Sequence, residues 1–150
     1  MLRIPNEDQW MIKAIEVAEK NKTPYGCLIL NHKSLEYILF ANSVKKDGKT
    51  AHAEMNALRN LDQLAYSEPQ DLILFTTGEP CPMCMGAIIW SGIRTVRYGM
   101  DIETISLYQK QIMVTARLIA SRSWLDMDIK GGILKNECRQ LFDNLYGKPD

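Results

Sequence analysis

Two short segments constrain this chain more than any other part of its sequence: residues 51–54, which read AHAE, and residues 80–84, which read PCPMC. Together they supply one imidazole, from His52, and two thiols, from Cys81 and Cys84. One nitrogen and two sulphur ligands provide three of the four ligands of a tetrahedral zinc ion and leave one position open for water. An open position is typical of a catalytic metal centre, so we expect a catalytic zinc site.

Glu54 follows the histidine by two residues. This spacing suits a carboxylate that exchanges protons with a water at the open position, so Glu54 is the candidate catalytic residue. The alternative is a closed, structural zinc site, which would require a fourth strong ligand. The other His and Cys residues are Cys27, His32 and Cys138, and none of them has a suitable spacing. The sequence therefore favours the open site.

Length and composition indicate one globular unit. The chain has 150 residues, of which 46% are hydrophobic and 24% charged, so we expect a single domain over residues 1–150. No stretch approaches the length of a membrane span. Residues 1–6 lack the apolar core of a signal peptide, and four cysteines without a secretion signal fit metal ligands and reduced thiols. We therefore expect a cytoplasmic protein.

Acidic and basic residues balance, with 18 of each, so the formal net charge is zero. Proteins that bind nucleic acid usually carry a basic patch that neutralises phosphates. The balance favours a small-molecule substrate over a long polyanion.

The hydrophobic pattern predicts alternating strands and helices along most of the chain. Helices are predicted at 7–20, 52–64, 82–90, 104–120 and 133–146, and strands at 26–30, 37–41, 71–76, 93–98 and 125–130. The first two strands form a hairpin, and the later strand–helix–strand order implies a parallel crossover. The expected fold is α/β, a three-layer α/β/α sandwich around a five-stranded mixed sheet.

Other residues receive structural roles. Asn6 is predicted to cap the first helix, and His32 to be a solvated turn residue. Cys27 is predicted to be a small buried residue of the first strand. The residues expected to face inward from the helix 104–120 are Ile105, Tyr108, Ile112, Leu118 and Ile119.

The chain resembles the cytidine deaminase-like superfamily, within the branch that holds guanine deaminases and bacterial tRNA adenosine deaminases. H-x-E followed by P-C-x-x-C is the known signature of zinc deaminases. The resemblance covers nearly the whole chain through Pro24-Tyr25-Gly26, Asn42, residues 52–54, 77–84, 86–88, 91–93 and 131–138.

The resemblance implies a zinc-dependent hydrolase that deaminates a base, with the three residues named above as zinc ligands and Glu54 as the proton carrier. Asn42 matches the position whose amide bonds the substrate, and the backbone of Ala53 would face the base. Family members dimerise, so a homodimer is expected. Trp124, Tyr108 and Met113 could contribute to its interface, with core positions as the alternative.

The motifs leave the substrate open, and we expect the choice of ring to lie with Asn42, Tyr25, Trp90 and residues 101–124. Trp90 and the segment around Tyr25 resemble guanine deaminases, whereas residues 131–138 resemble tRNA-editing enzymes. Those enzymes typically end in a basic helix, but residues 122–150 contain equal numbers of basic and acidic residues. Residues 101–124 depart from both patterns.

We therefore expect a nucleobase, a nucleoside or a similar small aminated heterocycle as substrate, with a guanine-like purine favoured. Trp90 would stack on the base, with packing in the core as its alternative. Adenosine-to-inosine editing of tRNA is the second possibility. A catalytically inactive zinc-binding module is a third, and the intact Glu54 argues against it.

Overall fold

One mixed sheet organises the computed structural model, which describes residues 4–150. Its strands are β1 (Gly26–Asn31), β2 (Tyr37–Ala41), β3 (Leu72–Gly78), β4 (Thr95–Met100) and β5 (Asp128–Lys130). They lie in the order β2-β1-β3-β4-β5. β1 is antiparallel to both β2 and β3, whereas β3, β4 and β5 are parallel. The predicted five-stranded mixed sheet is confirmed.

Helices cover both faces of this sheet. They are α1 (Glu7–Lys20), α2 (Val44–Asp47), α3 (Ala53–Arg59), α4 (Pro82–Trp90), α5 (Ile102–Ile105), α6 (Ala116–Ser121) and α7 (Lys135–Tyr146). Buried residues of α3, α4 and α6 pack on one face, and those of α1, α5 and α7 pack on the other. The three-layer α/β/α arrangement is therefore confirmed.

The central strands β1 and β3 are buried along their whole length. Successive side chains of a strand point to opposite faces, so each strand contributes to both apolar clusters. In β1, Cys27 and Ile29 join the cluster beneath α3 and α4, whereas Leu28 and Leu30 join the cluster beneath α1 and α7. Burial on both faces explains why these strands are continuous apolar runs.

The prediction of one helix over residues 104–120 is wrong. The structure has the short helices α5 and α6, separated by an irregular segment. The side chain of Thr115 accepts a hydrogen bond from the backbone of Leu118 and starts a new helix, as an N-cap residue does. Ile105 is buried and Ile119 packs against the core, but Ile112 is 62% exposed and Leu118 is 46% exposed.

Three smaller predictions also need correction. The helix predicted over residues 52–64 ends at Arg59, and a 3-10 turn follows it. No helix is predicted between residues 41 and 52, but the structure has the short helix α2 there. Asn6 precedes α1 as expected, but its backbone is left-handed, with φ of 59°, and its side chain makes no capping bond. The burial of Cys27 is confirmed.

Within residues 4–150, no helix is long and apolar enough to cross a membrane.

Arg97 is a buried charge that joins three elements. Its side chain is 2% exposed and contacts carboxylate oxygens of Glu7 in α1 and Asp128 in β5, each at 3.0 Å. It also donates hydrogen bonds to the carbonyl oxygens of Val96 and Asp128. A buried guanidinium is tolerated when its donors are satisfied in this way.

Replacing Arg97 with Ala should lower the free energy of unfolding by about 3 kcal/mol, because Asp128 loses its cation and Glu7 keeps only its pair with the exposed Lys130. Chemical denaturation measures the change. Lys135→Ala is the control: this residue pairs with Asp101 at 3.1 Å on the surface, so we expect a loss of about 1 kcal/mol at most. Equal losses in the two variants would contradict the structural role of Arg97.

Candidate active site

The three predicted metal ligands come together between the N-termini of α3 and α4. His52 immediately precedes α3 and Cys81 immediately precedes α4, where Cys84 lies in the first turn. Nδ1 of His52 lies 3.6 Å from Sγ of Cys81 and 3.5 Å from Sγ of Cys84. The three ligand atoms lie within 4.8 Å of one another.

These distances fit a tetrahedral zinc ion. Zinc lies about 2.3 Å from sulphur and about 2.0 Å from nitrogen, so tetrahedral angles place nitrogen and sulphur about 3.6 Å apart. One imidazole and two thiols are also donors that zinc prefers. His52 and Cys81 line a cavity, so a metal held by the cluster would be reached from that cavity.

The two thiols of the cluster differ in their affinity for protons. A hydrogen bond from the Cys84 thiol lowers the pKa of Cys81 to about 4. The same bond raises the pKa of Cys84 well above its ordinary value. The hydrogen bond with Cys81 also raises the pKa of His52. The cluster therefore holds a thiolate at neutral pH, and zinc must displace the proton of Cys84 when it binds.

Glu54 lies in the first turn of α3, beside this cluster, and lines the same cavity. Its side chain is only 5% exposed. Burial, followed by the negative charge of Cys81, raises the pKa of Glu54 to about 7. A carboxyl group with this pKa can both accept and donate a proton near neutral pH.

The cavity has a volume of about 1250 Å³ and brings together several predicted residues. Both Tyr25 and Asn42 line it, with Glu54 and two of the candidate ligands, His52 and Cys81. The Asn42 side-chain oxygen accepts a hydrogen bond from the backbone of Val44 at 3.1 Å, which orients its amide. Ala53 is fully buried in the core and is not among the residues that line the cavity, although both of its neighbours, His52 and Glu54, line it.

The structure does not bring Trp90 to this cavity. Trp90 ends α4, whereas Cys81 precedes the same helix, so the two residues lie at opposite ends of α4. Its side chain is 80% exposed and packs edge-on against Trp124, with ring centroids 4.8 Å apart. Trp90 therefore neither lines the cavity of its own chain nor lies in the core. Both of the predictions made for it are wrong.

The cavity also contains residues that the sequence did not indicate. The Tyr25 hydroxyl donates a hydrogen bond to the Gln109 side-chain oxygen at 2.6 Å, and the Gln109 amide donates to the Tyr146 hydroxyl at 2.7 Å. These residues belong to distant parts of the chain, so no local spacing could predict the contact. The only signal was the unusual character of residues 101–124.

The mouth of the cavity is basic. The lysines that line it are Lys22, Lys45, Lys46, Lys49 and Lys110. Within residues 4–150 none of these lysines forms an ion pair. The two acidic lining residues, Glu54 and Glu79, are both buried. The neutral chain therefore has a local excess of positive charge at one opening.

Replacing Cys84 with Ala should remove most of the bound zinc, because only two of the three ligands remain. Cys138→Ala is the control, since Cys138 is also a buried free cysteine but lies in α7, outside the cluster. Zinc per chain, measured by atomic absorption at pH 7.5, should fall only in the first variant. Retention should also weaken at lower pH, because protons compete for thiols and imidazole. Equal zinc in both variants would exclude this cluster as the metal site.

Comparison with known proteins agrees with this site. The model of the cytidine and deoxycytidylate deaminase zinc-binding region matches residues 5–100, which include all three candidate ligands and Glu54. A probable cytosine deaminase of Schizosaccharomyces pombe is 29% identical over 138 residues, covering 85% of each chain. A tRNA-specific adenosine deaminase of Buchnera aphidicola (subspecies Schizaphis graminum) is 25% identical over 145 residues, covering 93% of each.

Among solved structures, the guanine deaminase of Nitrosomonas europaea has the same fold, with a TM-score of 0.81 at 21% sequence identity. The match covers 99% of this chain and 87% of that one. These relatives act on different bases, so their likeness identifies the reaction class but not the substrate. The chain belongs to the cytidine and deoxycytidylate deaminase family and is a zinc-dependent hydrolytic deaminase.

Proposed function

We propose that the protein deaminates a nucleobase or a related small aminated heterocycle, with a guanine-like purine as the favoured substrate. The observation that carries this proposal is the buried Glu54 carboxyl beside the His-Cys-Cys cluster in a large cavity. The likeness to the Nitrosomonas guanine deaminase over nearly the whole chain supports a purine.

We further propose that residues 1–150 form a single domain. We also propose that the protein is cytoplasmic, because its four cysteines are free thiols and the cytoplasm keeps thiols reduced.

Zinc held by His52, Cys81 and Cys84 would lower the pKa of a water molecule and make hydroxide available near pH 7. Glu54 accepts the proton of the attacking water and transfers it to a ring nitrogen of the base. A C–O bond then forms at the ring carbon that bears the amino group. Glu54 next carries the proton of the newly added hydroxyl group to the amine, the C–N bond breaks as the carbonyl forms, and ammonia leaves.

Three residues position the base in this proposal. The Asn42 amide is held by Val44 through its oxygen, so its NH₂ group is available as a donor to a ring nitrogen or carbonyl. The backbone of Ala53, between His52 and Glu54, faces the polar edge of the base. Tyr25 provides one side of the cavity, and because burial raises its pKa, its hydroxyl remains protonated.

The basic mouth of the cavity favours adenosine deamination in tRNA as a second candidate. Lysines without carboxylate partners attract phosphate groups. A free base carries no phosphate, whereas an anticodon stem-loop could place its phosphates on the mouth while one base enters the cavity. The neutral C-terminal region, residues 122–150, is the observation that keeps this candidate second.

Replacing Glu54 with Gln should lower turnover by roughly 10²- to 10⁴-fold, since the amide cannot carry the proton. Zinc content should remain unchanged, because Glu54 is not a ligand. Ammonia release should be measured for guanine, adenine, cytosine, their nucleosides and an anticodon stem-loop, with both proteins. Substantial turnover by the variant would overturn the role of Glu54.

The same substrate panel separates the two candidates. If ammonia is released from guanine at a rate that changes little between 50 and 200 mM salt, the result supports a free base as substrate. Release only from the stem-loop, falling steeply over that range, supports tRNA because phosphate contacts depend on salt. If no small molecule yields ammonia, the favoured substrate class is wrong.

We also propose that the protein forms a homodimer through the outward face of α4. This helix contains no charged residue, and its outward face includes Met83, Gly86 and Trp90. A Cβ atom at Gly86 would meet nothing within 4 Å, so another backbone could approach closely. Trp124 is 67% exposed and extends this face, and an apolar face of this kind is typical of an interface.

The other interface candidates differ in their availability. Met113 is 57% exposed and could contribute. Tyr108 is held within its own chain, because its hydroxyl bonds with Asp143 at 2.6 Å and Arg139 at 3.0 Å. Tyr108 is therefore not part of the proposed interface.

Replacing Trp90 with Glu should convert the dimer to a monomer, because two charges would be buried against an apolar face. Ile12→Glu is the control: Ile12 is 43% exposed on α1, which covers the other face of the sheet. Light scattering coupled to size exclusion measures the mass. A wild-type monomer, or a dimer in the Trp90 variant, would contradict this interface.

A further inference from the structure

The segment between α5 and α6, residues 106–115, is irregular, yet it forms a wall of the cavity. The lining residues that it contributes are Gln109, Lys110, Gln111 and Ile112. An irregular segment needs external contacts to keep one conformation, because it has few backbone hydrogen bonds of its own. The contacts that hold this segment therefore decide the shape of the cavity.

Glu79 holds both ends of this region. It follows β3, is 7% exposed, and lies two residues before the ligand Cys81. One carboxylate oxygen accepts a hydrogen bond from the backbone of Ile102 at 2.9 Å, and the other accepts one from Ala116 at 2.8 Å. Ile102 and Ala116 are the first residues of α5 and α6, so a single side chain joins the starts of the two helices.

The geometry explains why a carboxylate occupies this position. A buried charge is stable only when its oxygens are satisfied, and the free N–H groups of two helix starts supply donors. The Glu79 backbone also donates to the carbonyl of Met100 at 2.7 Å, which fixes it to the end of β4. A neutral side chain could not accept from both amides with equal strength.

Gln109 holds the middle of the same segment. Its side chain lies between the hydroxyls of Tyr25 and Tyr146, at 2.6 and 2.7 Å. Tyr25 is at the N-terminal end of β1 and Tyr146 ends α7, so the wall is attached to two elements besides β3. The wall region is thus held at three points: Ile102 and Ala116, which both bond to Glu79, and Gln109.

We propose that residues 106–115 form the wall that selects among bases, and that Glu79 is the positioning residue for this wall. Glu79 borders the cavity, but both of its carboxylate oxygens bond to the backbone of Ile102 and Ala116, so it acts on the substrate through the wall. Gln109 and Gln111 present amide groups to the cavity, where they can distinguish the donor and acceptor pattern of one planar ring from another. This inference rests on the proposed function, since it presumes that a base binds in the cavity.

The test compares Glu79→Gln with two other variants. The glutamine keeps the size of the side chain, but only its carbonyl can accept, so one of the two amides loses its partner. Hydrogen exchange at Ile102 or Ala116, and along residues 106–115, should become faster by about tenfold or more. Amides of β1 and β3 should remain protected, and zinc per chain should be unchanged.

Asp71→Asn is the matched control. Asp71 is also a buried carboxylate, 5% exposed, but it pairs with Lys33 and does not line the cavity. This variant should leave exchange in residues 106–115 unchanged. Gln109→Ala is the second variant, because Gln109 is only partly buried and its loss is less disruptive to folding. It should not alter exchange at Ile102 and Ala116.

Selectivity is measured by calorimetric binding of guanine, adenine and cytosine to proteins that also carry Glu54→Gln, so that the bases bind without being consumed. The ratio of Kd values for guanine and cytosine should change by about tenfold in both Glu79→Gln and Gln109→Ala, and should stay constant in Asp71→Asn. If Glu79 had only a structural role, Glu79→Gln would weaken the binding of all three bases equally. That result would overturn the proposal. Unchanged exchange at both Ile102 and Ala116 in Glu79→Gln would also overturn it.

The outcome for the proposed function remains separate. If Glu54→Gln alone binds bases selectively but the wild-type protein releases no ammonia from them, the deamination proposal fails while the wall is supported. If Glu54→Gln binds no base, the wall has nothing to select and the inference is wrong, whatever the exchange data show.

Discussion

The site depends on the meeting of two helix N-termini at one end of the sheet. His52 and Cys81 precede α3 and α4, and both helices pack on the same face of β1 and β3. The free N–H groups and the dipoles of helix starts favour negative charge, which suits a thiolate cluster beside a carboxylate. Because the two helices are anchored to strands that are buried on both faces, the ligand atoms are held at zinc-binding distances.

The parts of the fold that the sequence predicted correctly are governed by short-range pattern. The apolar run of β3 is long enough, and sufficiently free of polar residues, to require burial on both faces. Likewise, Cys81 and Cys84 are three residues apart, so any helix that starts at Pro82 brings their sulphurs together. His52 could be assigned because H-x-E followed by P-C-x-x-C is the known signature of zinc deaminases.

The predictions that failed concern positions where distant residues decide. Ile112 and Leu118 fit a helical period, but Glu79 and Thr115 provide hydrogen bonds that start α6 at Ala116. Trp90 is apolar and ends an apolar helix, and whether such a residue is buried depends on which elements reach it. The net charge of zero concealed the basic mouth of the cavity, because acidic residues elsewhere balance the total. Composition reports a sum, whereas binding depends on where the charges lie.

The residues suited to the reaction and the residues proposed to select the base lie in different parts of the chain. The residues suited to the chemistry lie in two short motifs at the starts of α3 and α4. The spacing within each motif is enough to keep the geometry of these residues. The cavity wall is an irregular segment, so its sequence can change without disturbing the cluster. Glu79 connects the two, since it lies two residues before Cys81 and bonds to both ends of the wall region. A change of substrate in this fold can therefore arise in residues 106–115, while a change at Glu79 affects the wall without removing a metal ligand.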